Sequence, residues 1–170
     1  MHANEKFMDW RELMAMQIDL RDSGFRIACW AKRADSGSEW RMPIEYLLFS
    51  YCSFLLTYEP RSPHYWGGNW GQGWSSRSPF APPAFVYADL GAPRERFAEI
   101  DQALWLGSSG IFARRYEKGL IAVNASKSDS AGLRLEQPLY DVVAEQWVEK
   151  TELKPLSARL LLSRQMPLRH

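Results

Sequence analysis

Apolar positions at the start of the chain recur at near-helical spacing. Phe7, Trp10, Leu13, Met14, Gln17, Ile18 and Leu20 make a broad apolar face with one polar interruption. That spacing predicts a helix from an Asn4 cap to about Asp22, stopped by Asp22-Ser23-Gly24 with glycine at the exit. Phe25 to Ala31 is a short apolar run with aromatic and β-branched members and predicts a buried strand. Lys32 to Glu39 is polar and reads as a loop. Met42 to Tyr51 is apolar nearly all round, which predicts a buried helix. Cys52 to Tyr58 reads as a second strand, although periodicity does not separate helix from strand in so apolar a run. Helix, strand, helix, strand is the order of an α/β layer with parallel strands.

The pattern then changes. Glu59 to Pro83 holds Pro60, Pro63, Pro79, Pro82 and Pro83, glycines 67, 68, 71 and 73, and Tyr65, Trp66, Trp70 and Trp74. Such a stretch predicts an irregular loop, and long irregular loops in compact domains are usually functional. Ala84 to Ala88 predicts a short strand, broken by Asp89-Leu-Gly-Ala-Pro93 and followed by a polar connector. Leu104–Leu106, Ile111–Tyr116, Leu120–Ala125, Gly132–Glu136, Trp147–Leu153 and Ala158–Leu162 are short candidate strands at the rhythm of an antiparallel β unit. Two of them flank Glu117-Lys118-Gly119, where Gly119 is expected to supply the positive φ of a tight hairpin.

Composition narrows the function classes. With 21 basic and 20 acidic residues the net charge is +1, so there is no electrostatic reason to expect nucleic acid or an anionic membrane as partner. No apolar run reaches the roughly 18 residues of a spanning helix, and the first residues lack the apolar core of a signal peptide. The expectation is a soluble chain with no export signal of its own. Cys29 and Cys52 form no Cys-x-x-Cys pair, and the histidines are His2, His64 and His170. No structural metal is expected from so few ligands, the thiols read as buried and free, and no cofactor is implied. His64, the candidate partner for a catalytic cysteine, reads more simply as a loop histidine.

The aromatic-glycine loop carries the strongest site signal. Trp66, Trp70 and Trp74 could stack on the apolar faces of sugar rings, with Asn69 and Gln72 offering paired donors and acceptors to hydroxyls. The competing reading is a hydrophobic cover over the end of a sheet or barrel. Glycosidic hydrolysis needs two carboxylates, and Asp35, Glu39 and Glu59 lie near predicted strand ends. Glu59 follows a strand and enters the aromatic loop, the position of active-site residues in α/β barrels, which makes it the catalytic candidate. Each also reads as an ordinary solvated or salt-bridged carboxylate. Arg114 and Arg115 fall on opposite faces of one strand, and Asn124-Ala-Ser126 fits a glycosylation sequon.

Ile44 to Leu56, Val86-Tyr-Ala-Asp-Leu-Gly-Ala-Pro93 and Ile111 to Asn124 together resemble the C-terminal part of glycoside hydrolases built as a (β/α)8 barrel followed by a C-terminal β domain. Tyr140-Asp141 and Leu160-Leu-Leu162 resemble that family's later strands, whereas Ala125 stands where proline is usual. The resemblance implies an α/β plus all-β chain. Residues 1–92 would be a partial (β/α) barrel segment, 93–102 a connector and 103–166 a small antiparallel, sandwich-like β domain. It implies a carbohydrate-active hydrolase portion, inactive alone because most of the barrel is missing. A non-catalytic carbohydrate-binding or structural β module is the alternative. Exposed barrel strands are expected to promote self-association, with Ile27, Cys29, Phe54 and Leu56 forming an apolar wall.

Overall fold

A computed structural model describes residues 9–31, 43–61, 64–68, 83–105 and 110–166. The first helix, α1 (Trp10–Asp22), opens on Asp9, whose carboxylate accepts the Arg11 N–H at 2.9 Å while Glu12 reaches back to the Asp9 N–H at 3.2 Å. This capping box satisfies N–H groups that the first turn leaves unpaired. The cap is therefore Asp9 rather than the Asn4 expected from the sequence, and Asn4 itself lies outside the described residues. Gly24, at φ +77°, provides the left-handed exit that was expected there.

Strand β1 (Ile27–Ala31) is followed by helix α2 (Ile44–Thr57) and strand β2 (His64–Gly68). The two strands pair in parallel, Ile27 opposite His64 and Ala31 opposite Gly68, so β1-α2-β2 is a βαβ unit. The parallel pairing agrees with the sequence reading, but its parts do not. Cys52–Thr57 is the second half of α2 rather than a strand, and Tyr58 is its C-cap. Leu47, Leu48, Cys52, Phe54, Leu55 and Leu56 are all buried, so a helix enclosed on most sides carries no polar stripe to reveal its period. The second strand lies instead inside the stretch expected to be irregular. Ala84–Tyr87 is a 3-10 turn rather than a strand, opened by Pro83.

The C-terminal strands form one open antiparallel sheet: β3 (Ile111–Tyr116), β4 (Gly119–Asn124), β5 (Ala131–Asp141), β6 (Gln146–Leu153) and β7 (Ser157–Leu162), in the order β3-β4-β7-β5-β6. Leu104 adds an isolated bridge to Phe112 rather than a strand. Both sheet faces are covered. Phe112, Tyr116, Ile121, Val123, Leu160 and Leu162 pack with Met14, Leu48, Cys52 and Leu56 of the helices. On the other face Ile111, Ala113, Leu120, Ala122 and Leu161 meet Leu133, Leu139 and Leu153. Strand β5 pairs with β7 only at Tyr140 and Asp141, and its pairing with β6 shifts register between Arg134 and Leu139. Pro138 lies in that irregularity, where a residue with no N–H is tolerated. The first half of β5 therefore leaves β7 and crosses the sheet face, and Glu136 reaches Arg115 of β3 at 3.2 Å.

Phe54 and Leu56 are buried against the sheet rather than forming an exposed wall, and Ile27 is buried too. Among the described residues no helix is long and apolar enough to cross a membrane.

The hairpin between β3 and β4 corrects one expectation. Tyr116 pairs with Gly119 across a Glu117-Lys118 turn, and none of Glu117, Lys118 or Gly119 has positive φ. Glycine is needed there for space, since a Cβ on Gly119 would meet the Leu161 carbonyl oxygen and come within 2.9 Å of Leu90 Cδ2. Gly119→Ala and Gly119→Asn are both expected to lower stability by about 1–3 kcal/mol in urea denaturation. A tolerated Gly119→Asn with a damaging Gly119→Ala would restore the positive-φ explanation, because asparagine adopts that conformation readily.

Candidate functional site

Glu59 stands two residues beyond α2, and its surroundings are set by how that helix ends. The last carbonyls of a helix have no partner within it and carry its negative pole. The final turn of α2 contains no basic residue. Two arginines from elsewhere close it. Arg114 of β3 donates to Leu55 O at 3.1 Å, to Leu56 O at 3.2 Å and to Tyr58 O. Arg21 of α1 donates to Thr57 O at 3.3 Å, and the Tyr116 hydroxyl to Leu55 O at 2.7 Å. Both guanidiniums also hold the segment before β3: Arg114 binds Glu95 O at 2.9 Å and Arg21 binds Phe97 O at 2.6 Å.

Within this cluster the Glu59 carboxylate is 2.5 Å from Arg114, with side-chain exposures of 20% for Glu59 and 0% for Arg114. The rings of Phe97 and Tyr116 flank the same guanidinium, with centroids 5.5 and 5.7 Å from its central carbon. The predicted catalytic carboxylate thus sits as the counter-ion of a buried arginine. Arg114 and Arg115 do occupy opposite faces, as the alternation predicted. Pairing of one of these arginines with a carboxylate or a ring was expected, whereas the capping of the α2 carbonyls by Arg21 and Arg114 was missing from the sequence reading. The available signal was an apolar α2 terminus with no cation of its own.

Of the predicted sugar-binding residues, only Trp66 is described. Its indole Nε1 donates to Ser50 Oγ at 3.1 Å, and its ring lies 4.8 Å from that of Tyr51, which in turn lies 5.6 Å from Phe85. Trp66 is therefore half-buried along α2. Asn69, Trp70, Gln72 and Trp74 lie outside the described residues, as do Asp35 and Glu39. His64 lies on β2, and its side chain is outside the description.

The remaining motif residues have structural surroundings. Asn124 is fully buried, and its amide nitrogen donates toward Asp129 O, Leu153 O and Lys154 O at 2.7–3.1 Å. A sequon asparagine so enclosed is inaccessible for glycan attachment in the folded chain. Asp141 is buried, accepts the Val143 and Ala144 N–H groups at 3.0 Å, and pairs with Arg159 at 3.2 Å. Burial pushes the Cys29 thiol up to about 11 and the Cys52 thiol higher still, so both stay protonated at neutral pH and lack the thiolate that a nucleophile requires. Among the described residues no group of three His, Cys, Asp or Glu side chains could hold a metal ion.

The segments that carried the family resemblance meet in space. The Lys118 N–H donates to Leu90 O and the Glu117 N–H to Ala92 O, both at 2.9 Å, so the Asp89–Pro93 turn clasps the hairpin, while Arg114 of that hairpin grips the end of α2. Comparison with protein-family models, curated proteins and solved structures gives no match.

Two measurements probe the cluster. Arg114→Met is expected to cost about 3–5 kcal/mol, because it strands carbonyls and the Glu59 charge together. Glu59→Gln keeps an acceptor near Arg114 and should cost less; equal losses in urea denaturation would show that the charge itself is decisive. Asp22 gives a pH signature. Hydrogen bonds from Arg21 and then Arg96 lower its pKa from 3.8 to about 2. Its stabilising contribution is therefore complete above about 4 and is lost as pH falls toward 2. Asp22→Asn should flatten the stability profile across that interval, and an unchanged profile would remove this assignment.

Proposed function

We propose that this chain is the C-terminal portion of a carbohydrate-active, glycoside hydrolase-like protein and that it is inactive alone. The observation that carries the reading is the parallel β1-α2-β2 unit. Among the described residues each of its strands has a single neighbour, whereas parallel sheets occur as larger assemblies covered on both faces. Further β/α units would extend this pair toward a barrel. The antiparallel sheet packed on α2 corresponds to the appended β domain, and the mutual contacts of the resembling segments support the same arrangement.

The described carboxylates support inactivity of the chain alone. Hydrolysis of a glycosidic bond uses one carboxyl group as acid and another as nucleophile or base. Glu59, Asp22 and Asp141 are each engaged with an arginine in a structural contact. The pairing of Glu59 with Arg114 specifically favours the second reading, a non-catalytic β module in which Glu59 helps to hold helix and sheet together.

The test combines sedimentation with an activity assay. The open edges of β1 and β2 are expected to give concentration-dependent oligomers, and no aryl glycoside should be turned over. A monodisperse monomer that unfolds in one cooperative step would remove the barrel-segment reading. Turnover abolished by Glu59→Gln would overturn inactivity and make Glu59 catalytic.

A further inference from the structure

The bend in β5 leaves a groove where the first half of that strand faces the Glu95–Trp105 segment across β3. Its volume is about 760 Å³, within the range of roughly 300–1,000 Å³ typical of small-molecule sites. Small residues line part of it. Ala113 contributes a methyl group, and a Cβ built on Gly132 meets nothing within 4 Å. One wall is composite. The Arg115 guanidinium lies 4.7 Å from the centre of the half-buried Trp105 ring, and Glu136 holds it at 3.2 Å. The Glu95 carboxylate fixes the backbone beneath by accepting the Arg115 N–H at 3.0 Å. Exposed Arg134 and Gln102 complete the polar lining, and Leu104 and Leu135 supply apolar strips.

We infer that this groove is a binding site for a short neutral oligosaccharide. Two carboxylates stand against two guanidiniums, so the lining has no net charge and favours neither an anion nor a cation. It offers strong acceptors beside strong donors, the combination that hydroxyl groups, each both donor and acceptor, can use in full. Apolar strips beside those groups suit the C–H faces of a sugar ring. The acids and Arg115 are already positioned by one another, so little ordering is needed on binding. The inference deepens the carbohydrate side of the reading above and does not require the barrel. It also places the ligand on the β sheet rather than at Trp66, Trp70 and Trp74.

The test uses the full chain and four probes: cello-, malto-, xylo- and mannohexaose, with oligogalacturonate as an anionic control. Binding is followed by the Trp105 indole N–H resonance, assigned with Trp105→Phe. At least one neutral probe should shift it saturably. Gly132→Leu fills the groove from a position with free space above it, so the melting temperature should hold while affinity falls by at least about tenfold. Arg134→Ala should weaken binding several-fold by removing a donor. Failure of all four neutral probes, affinity unchanged in Gly132→Leu, or preference for oligogalacturonate would each overturn the inference. Oligomerisation without saccharide binding would end this site and leave the barrel reading standing.

Discussion

Two buried guanidiniums at the C-terminus of α2 hold this structure together. A helix that ends inside a protein presents unpaired carbonyls at the negative pole of its dipole, and burying them without donors is costly. Arg21 and Arg114 supply those donors from different elements, one from α1 and one from β3. Because each also binds a carbonyl of the Glu95–Phe97 segment, four parts of the chain converge on a single polar cluster. An arginine suits this task because its planar fork carries several donors and stays charged when buried. The helices are thereby fixed to one face of the sheet in one orientation, which apolar packing alone specifies less sharply.

Everything on the opposite face follows from how the sheet then closes over itself. With helices on one side, the strands still need apolar cover on the other, and the bent β5 with β6 supplies it. Buried polar side chains anchor the two ends of that arm. Asp141 holds the turn leading into β6, and Asn124 binds the carbonyls of Asp129, Leu153 and Lys154. The arm reaches β3 through Glu136 and Arg115 without forming a ladder with it, and the groove is the space left at that seam.

These constraints separate charged residues that hold the fold from those that line the groove. Glu59 stands in sequence where a barrel enzyme would carry a site residue, yet its carboxylate neutralises the arginine on which the helix–sheet junction depends. Charges at the seam are more exposed and meet at an opening, where binding a ligand does not require breaking the fold.

The sequence by itself determined β3, β4, β6 and β7 nearly to their ends, because alternation, turn residues and β-branched runs are local signals, whereas β5 was legible only to Glu136 and runs on through its irregularity to Asp141. It likewise determined the exit of α1 at Gly24, the parallel α/β character of the first half and the opposite faces of Arg114 and Arg115. Tertiary structure decided what local signals cannot carry. The largely apolar segment from Ile44 to Thr57 is one helix whose burial on most sides erases the period that would have identified it. Gly119 is required by the backbone of Leu161, a residue distant in sequence, rather than by its own φ. Arg21, Arg114 and Glu59 were visible as charges, but their partners are carbonyls and rings brought near only by folding. The groove is the clearest case. Trp105, Arg115, Gly132 and Glu136 come from three separate stretches, and only the bend of β5 across the sheet face makes them neighbours.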